Sequence, residues 1–368
     1  MVIRAHAIES AYEKFSPALR SKMDCVVDAI VTAKREGHTV VACIGGADNV
    51  YRGVTTLIAE LMHRGIVDGV CTTAAVVGHE LAGVLEKVKR INGTKEGIRS
   101  SLLHEGEYFD VALLSPDILE QFQQEIDVDI SFYRSLLGAP GDMVTRAAGN
   151  GAYPSGLRTE MLSKEILALA AERRIPFEQM AGYGADPMTM IGAGARLGIP
   201  VIVAVSQLVG SGGVGLSIGD SIPVSERARR VSKMMGTAKV VLQSAPCFAE
   251  SEHDPCEVHR GCGIWAGWQG KWTWSLAERT MILIEEDIAP AGAPGAGEAA
   301  PLRRDMTIRG DSGIIWSVLA GRVAASLGIR LEFMTYGASP ESEAVREWIV
   351  NSIHPADRNE IVRVHHRV

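Results

Sequence analysis

The sequence predicts an α/β fold: a doubly wound, Rossmann-like parallel sheet with helices on both faces. Two observations carry this. Short apolar runs of strand length alternate with segments whose apolar residues recur at helical spacing. Glycine is abundant, 39 residues against 6 Trp, 7 Tyr and 7 Phe, which suits many tight turns and close backbone approaches.

The elements follow in order. Residues 1–23 read as an amphipathic helix of mixed charge. Val40–Ile44 reads as a buried strand ending in Gly45-Gly46. Residues 51–64 have helical spacing, with Leu57, Ile58, Leu61 and Met62 on one face, and Gly65 closes the helix. Residues 67–73 give a second strand and 79–91 a second helix. Strand, helix, strand, helix implies parallel strands joined by right-handed crossovers. The pattern resumes with a helix over 163–173, Leu167 and Ala170 facing inward. A strand over 199–206, a helix over 224–235 and strands over 239–243 and 280–285 come next. Ser312–Leu327 reads as a closing helix. Residues 289–301 are rich in Ala, Gly and Pro and read as a mobile loop. With no internal repeat and no linker composition, the expectation is one domain over 1–368. Inserts are expected near 95–155 and 206–224.

Composition narrows the function classes. A net charge of −7 argues against nucleic-acid binding through bulk charge. The N-terminal stretch carries charges where a secretory signal would be apolar, and no apolar run is long enough to span a bilayer. Six cysteines in 368 residues do not make a disulfide framework. The expectation is a reduced, cytoplasmic protein without a membrane anchor.

In a parallel sheet, ligands bind beyond the carboxyl ends of the strands. Three loops fall there: Ile44-Gly-Gly-Ala-Asp-Asn49, Cys71-Thr-Thr-Ala-Ala75 and Gln243-Ser-Ala-Pro-Cys247. Their small and hydroxyl residues would let backbone N–H groups approach a phosphate or ribose, or would simply serve tight turns. The glycine run 210–219 lacks the Lys-Ser/Thr of a phosphate-binding P-loop and reads as a lid or crossing loop. Asp220, just beyond it, either binds an amine or leads the next turn. Cys247, His253, Cys256, His259 and Cys262 are suitable zinc ligands, but their spacing departs from zinc-site patterns, so no metal is expected.

Trp265, Trp268, Trp272 and Trp274 are four of the 6 tryptophans. Such a cluster walls an apolar pocket or an interface. Lys271 lies among them. Desolvation would lower its pKa and free its amine to attack an imine or carbonyl carbon. The alternatives are a cation–π contact or a surface lysine after a turn.

Taken in order, these loops resemble those of deoxyhypusine synthase and the related homospermidine synthases. The resemblance rests on residues 49–54 and 65–74, on Ser163-Lys-Glu-Ile166, and on Arg174-Ile-Pro176. It continues through Gln243-Ser-Ala245, Trp268-Gln-Gly-Lys271 and Gly310-Asp-Ser312. It implies a homotetramer that binds NAD between subunits, oxidises a polyamine and passes an aminobutyl group to an acceptor amine. The acceptor could be a protein. It implies Lys271 as the imine-forming nucleophile and Trp268 beside the amine. It also implies Asn49, Thr72, Thr73, Ala74, Ser244, Ala245, Asp311 and Ser312 around NAD. The chain departs from the family at Ala74-Ala75-Val76, at Cys247-Phe-Ala-Glu250, and at Ile264, where the family carries a carboxylate for the substrate ammonium. Glu250, Glu252, Asp254 and Asp220 are the candidate replacements. Other readings of the residues remain open. One is a different NAD-dependent or hydrolytic enzyme acting on a small metabolite, with a structural lysine; another is a non-catalytic ligand-binding protein.

Overall fold

A computed structural model of the chain describes residues 5–46, 49–50, 53–81, 85–103, 107–147, 152–208, 211–244, 279–285, 306–331 and 366–367. Its centre is a six-stranded sheet in which every pair of neighbours is parallel. The strands are β1 (Thr39–Ile44), β2 (Gly69–Thr72), β6 (Val201–Val203), β7 (Ala238–Ser244), β8 (Thr280–Glu285) and β9 (Thr307–Arg309), in the spatial order β6-β2-β1-β7-β8-β9. Renumbered along the chain within this sheet, that is 3-2-1-4-5-6, the order of the dinucleotide-binding doubly wound fold.

Alternation along the strands explains why both faces are covered. Val40, Ala42 and Ile44 of β1 join the larger core, with the helices Pro17–Arg35, Val54–His63 and Ser312–Ser326. Val41 and Cys43 point the other way, to a smaller core with Cys71, Val241 and the helix Val224–Thr237.

The first expected helix is in fact two, Ala5–Glu13 and Pro17–Arg35. Ser16 and Pro17 cause the break. The Ser16 hydroxyl accepts a hydrogen bond from Leu19 N at 3.2 Å, and proline is favoured in a helix's first turn, where no N–H is needed.

The expected helix over 79–91 is also corrected. A helix covers Ala74–Leu81, and Leu85–Asn92 is instead β3. It pairs antiparallel with β4 (Tyr108–Ala112) and β5 (Gly141–Ala147) in a separate four-stranded sheet completed by β10 (His366–Arg367). Val88 packs with Ala112 and Ala152, while Ile91 joins a cluster with Phe122, Tyr133 and Leu136. Apolar positions on both strand faces need not alternate, so helix-like spacing was misleading there.

The glycine run also differs from its expected form. Gly212–Ser221 is a helix. It packs on Ser155–Arg173, and a Cβ on Gly213 would collide with the Glu160 carboxylate. The Glu160 carboxylate lies against the positive end of this helix, where the bare glycines leave it room.

Candidate functional site

The switch point of the sheet lies between β1 and β7, where the strand order reverses. Three residues singled out from the sequence meet there. Asn49 donates through Nδ2 to the carbonyls of Gly45, at 2.5 Å, and Ser244, at 3.3 Å. Its Oδ1 accepts the Ser244 hydroxyl at 3.0 Å. Gly45 N donates to the Ser244 carbonyl at 3.0 Å, and the Thr72 hydroxyl donates to the Ile44 carbonyl at 2.7 Å. Asn49, Thr72 and Ser244 are all buried. They therefore brace the ends of β1, β2 and β7 against one another. Gly46 is exposed at the turn with φ of +74°, a conformation that glycine adopts without steric cost. Both backbone groups of Gly45 are engaged in this bracing, and the exposed Gly46 is left beyond the end of β1 to meet a ligand.

The other cofactor candidates occupy the same edge of the sheet. Thr73 follows β2 and accepts Val76 N at 3.3 Å, capping the helix that begins at Ala74. Ala74 is fully buried. Asp311 follows β9, and its Oδ1 caps the Ser312–Ser326 helix by accepting Ile314 N at 3.1 Å. Ser312 is buried behind it. Asp220 is not brought to this group: it is exposed near the end of the helix after β6, at the sheet's edge. Lys271, Trp268, Glu250 and Ala245 lie outside the described residues, as do the other three clustered tryptophans. So do the cysteine–histidine loop from Cys247 to Cys262 and the segment 289–301. Among the described residues, no cluster of three or more His, Cys, Asp or Glu side chains could hold a metal, and no helix is long and apolar enough to cross a membrane.

Two buried groups escaped the sequence reading. Glu80 is buried, and its two oxygens accept Met190 N at 2.9 Å and Ile191 N at 3.1 Å, capping the helix Met190–Leu197. Burial pushes its carboxyl up to about 8, against the opposing pull of those two N–H donors. Glu178 and Arg227 form a fully buried ion pair. Glu178 also accepts Val203 N at 2.7 Å, and Arg227 donates to the Ile218 carbonyl at 2.7 Å, tying three helices to β6. Glu80 and Glu178 each stand beside apolar residues in the sequence, which does not name a partner, and Arg227 is hidden in the charged run Glu226–Arg230.

A cavity of about 380 Å³ opens at the opposite edge of the sheet, among Thr39, Asp68, Pro200, Met234 and Thr237. Its carboxylates are already engaged: Asp68 pairs with Lys34 at 2.7 Å and Glu178 with Arg227, while Arg230, paired with Glu226, and Lys233 also line it. The switch point is the better functional candidate, because in this topology ligands bind beyond the carboxyl ends of the strands.

No family model and no curated protein matches the chain. Solved structures do. The chain is similar to a candidate deoxyhypusine synthase from Entamoeba histolytica, with 8% identity, a TM-score of 0.45, and coverage of 86% of this chain and 92% of that one. The likeness is one of fold. The chain is also similar to AgrE in its complex with ornithine and NAD+, at 12% identity and a TM-score of 0.42, covering 85% of this chain but 34% of that one. A candidate LOR/SDH protein from Methanococcus maripaludis S2 is similar at 9% identity and a TM-score of 0.39, over 84% of this chain and 70% of that one. The chain thus spans about a third of AgrE's length. At these identities the likenesses bring no residue roles with them.

Proposed function

We propose that the chain is an NAD-dependent enzyme whose dinucleotide lies across the β1/β7 crevice. We further propose that it moves an aminobutyl-type group from a polyamine to an acceptor amine through an imine on Lys271. One observation carries the dinucleotide reading: the 3-2-1-4-5-6 strand order, with Asn49 and Ser244 bracing the glycine turn at the reversal. The residues suit the group. The exposed backbone at Gly46 would face the pyrophosphate, Thr73 and Ala74 the first nucleotide half, and Asp311 and Ser312 the second. An unsatisfied amide oxygen, on Gln243, lies beside the reversal. NAD bound there supplies a hydride acceptor.

The transfer step rests on the sequence pattern Trp268-Gln-Gly-Lys271. A lysine attacks only when neutral, and an ordinary lysine, of pKa ~10.4, is almost wholly protonated at neutral pH. Neighbouring tryptophans supply the desolvation that lowers it. Glu250 is the carboxylate proposed for the substrate ammonium, Asp220 being set aside by its place away from the switch point, and the assembly is proposed as a homotetramer.

Calorimetry with NAD up to millimolar concentration tests the first part. Binding is expected, weakened in Asp311→Ala, measured well below the melting point because that variant also loses a helix cap. No heat and no thermal shift in the wild type would reject it. Lys271→Arg tests the second part. It should keep the NAD-induced thermal shift, lose aminobutyl transfer from a polyamine to an acceptor amine, and abolish the adduct that borohydride traps at Lys271 in the wild type. Normal turnover by Lys271→Arg would reject the imine mechanism.

A further inference from the structure

Gln243 stands one residue before the end of β7, directly across from Cys43 of β1. Alternation sends its side chain to the face opposite Ser244, the face of the smaller core with Cys43, Cys71 and Val241. It is 7% exposed, and its side-chain oxygen is buried without a hydrogen-bond partner. Among the described residues, nothing beside it meets that need. The Cys43 thiol is engaged with Cys71, and Leu283, across from it on β8, is apolar. Methionine would fill this position without the cost of an unpaired oxygen, so the amide here calls for an explanation.

The position suggests one. In this strand order the turn after β1 takes the pyrophosphate, and the end of β2 takes the adenosine ribose. The half built on β7, β8 and β9 is then left for the nicotinamide mononucleotide. Gln243 lies on the first strand of that half, beside the reversal. A primary carboxamide is the complement of a glutamine amide, because each group both donates and accepts.

We propose that Gln243 recognises the carboxamide of a nicotinamide-bearing ligand in the β1/β7 crevice; this rests on the dinucleotide reading above. Ligand entry turns the amide so that its oxygen accepts the carboxamide N–H and its nitrogen donates to the carboxamide oxygen. Gln243 is therefore a specificity determinant that is unsatisfied until ligand arrives.

The test compares wild type with Gln243→Met by thermal unfolding without ligand and by titration with NAD and with nicotinamide. Without ligand, the variant is expected to melt at or above the wild-type temperature, because no protein hydrogen bond is lost. Its affinity for both ligands is expected to fall about tenfold, the loss of one to two net hydrogen bonds. A ligand-free variant that melts many degrees lower would show that the amide is bonded within the protein, and would overturn the inference. NAD bound equally by both forms would overturn it while leaving the dinucleotide reading intact. Nicotinamide binding weakened by the substitution, with no NAD binding to either form, would keep the inference and remove the dinucleotide reading. A wild type that binds neither ligand would overturn both.

Discussion

Glu80 sets a pH dependence that can be worked out from its surroundings. Its carboxyl rises from an ordinary 4.5 to about 8, chiefly through burial. A folded-state value above the unfolded one means that the native chain holds the proton more tightly. The associated stability is complete below about 4.5 and is lost as pH rises through about 8. Each unit of that interval is worth about 1.4 kcal/mol. At pH 7 the loss is therefore roughly 3 kcal/mol, a large fraction of an ordinary domain's stability. Glu80→Gln removes the titration and keeps the shape and an acceptor for the Met190–Ile191 N–H pair. Urea unfolding of both proteins from pH 5 to pH 8 should give similar stabilities at the acid end. The variant should become the more stable one by roughly 3 kcal/mol at neutral pH. Curves that stay parallel across this range would refute the reasoning: the two helix N–H donors would then hold Glu80 ionised throughout.

Other outcomes follow from the same structure. Asn49→Leu leaves the Ser244 hydroxyl without its acceptor and two carbonyls short of a donor, so it should cost about 2–4 kcal/mol in chemical unfolding and weaken NAD binding more than that loss of stability alone explains. Arg227→Met strands the Glu178 carboxylate in the core and should cost about 3–5 kcal/mol. The double variant Glu178→Leu/Arg227→Met should be more stable than Arg227→Met alone, which urea midpoints will show; a double variant that is weaker still would mean the pair contributes more than it costs to desolvate.

The sequence by itself determined the parallel α/β class and most strands of the main sheet, because runs such as Val40–Ile44 and Lys239–Gln243 are apolar over a strand's length and stop at small residues. It also placed Asn49, Thr72, Thr73 and Ser244 at or just beyond the ends of strands, since a loop's position beyond a strand is local information; Asp311 came only from the family resemblance, because the three-residue strand before it, Thr307–Arg309, is too short to read. The tertiary structure alone decided the strand order, because pairing β1 with β7 joins residues about 200 positions apart through bonds that no local pattern encodes. It alone decided that Leu85–Asn92 is a strand, since Val88 and Ile91 are stabilised by partners on opposite faces. The surroundings of the glycines at 212 and 213 were hidden for the same reason: the Glu160 carboxylate beside them lies on another helix. Glu80, Gln243 and the Glu178–Arg227 pair show the limit most clearly. A polar residue in an apolar stretch, such as Glu80 or Gln243, is visible in sequence, and Arg227 in its charged run is not even that; whether each is satisfied, ionised or waiting for a ligand depends on groups that only folding brings beside it.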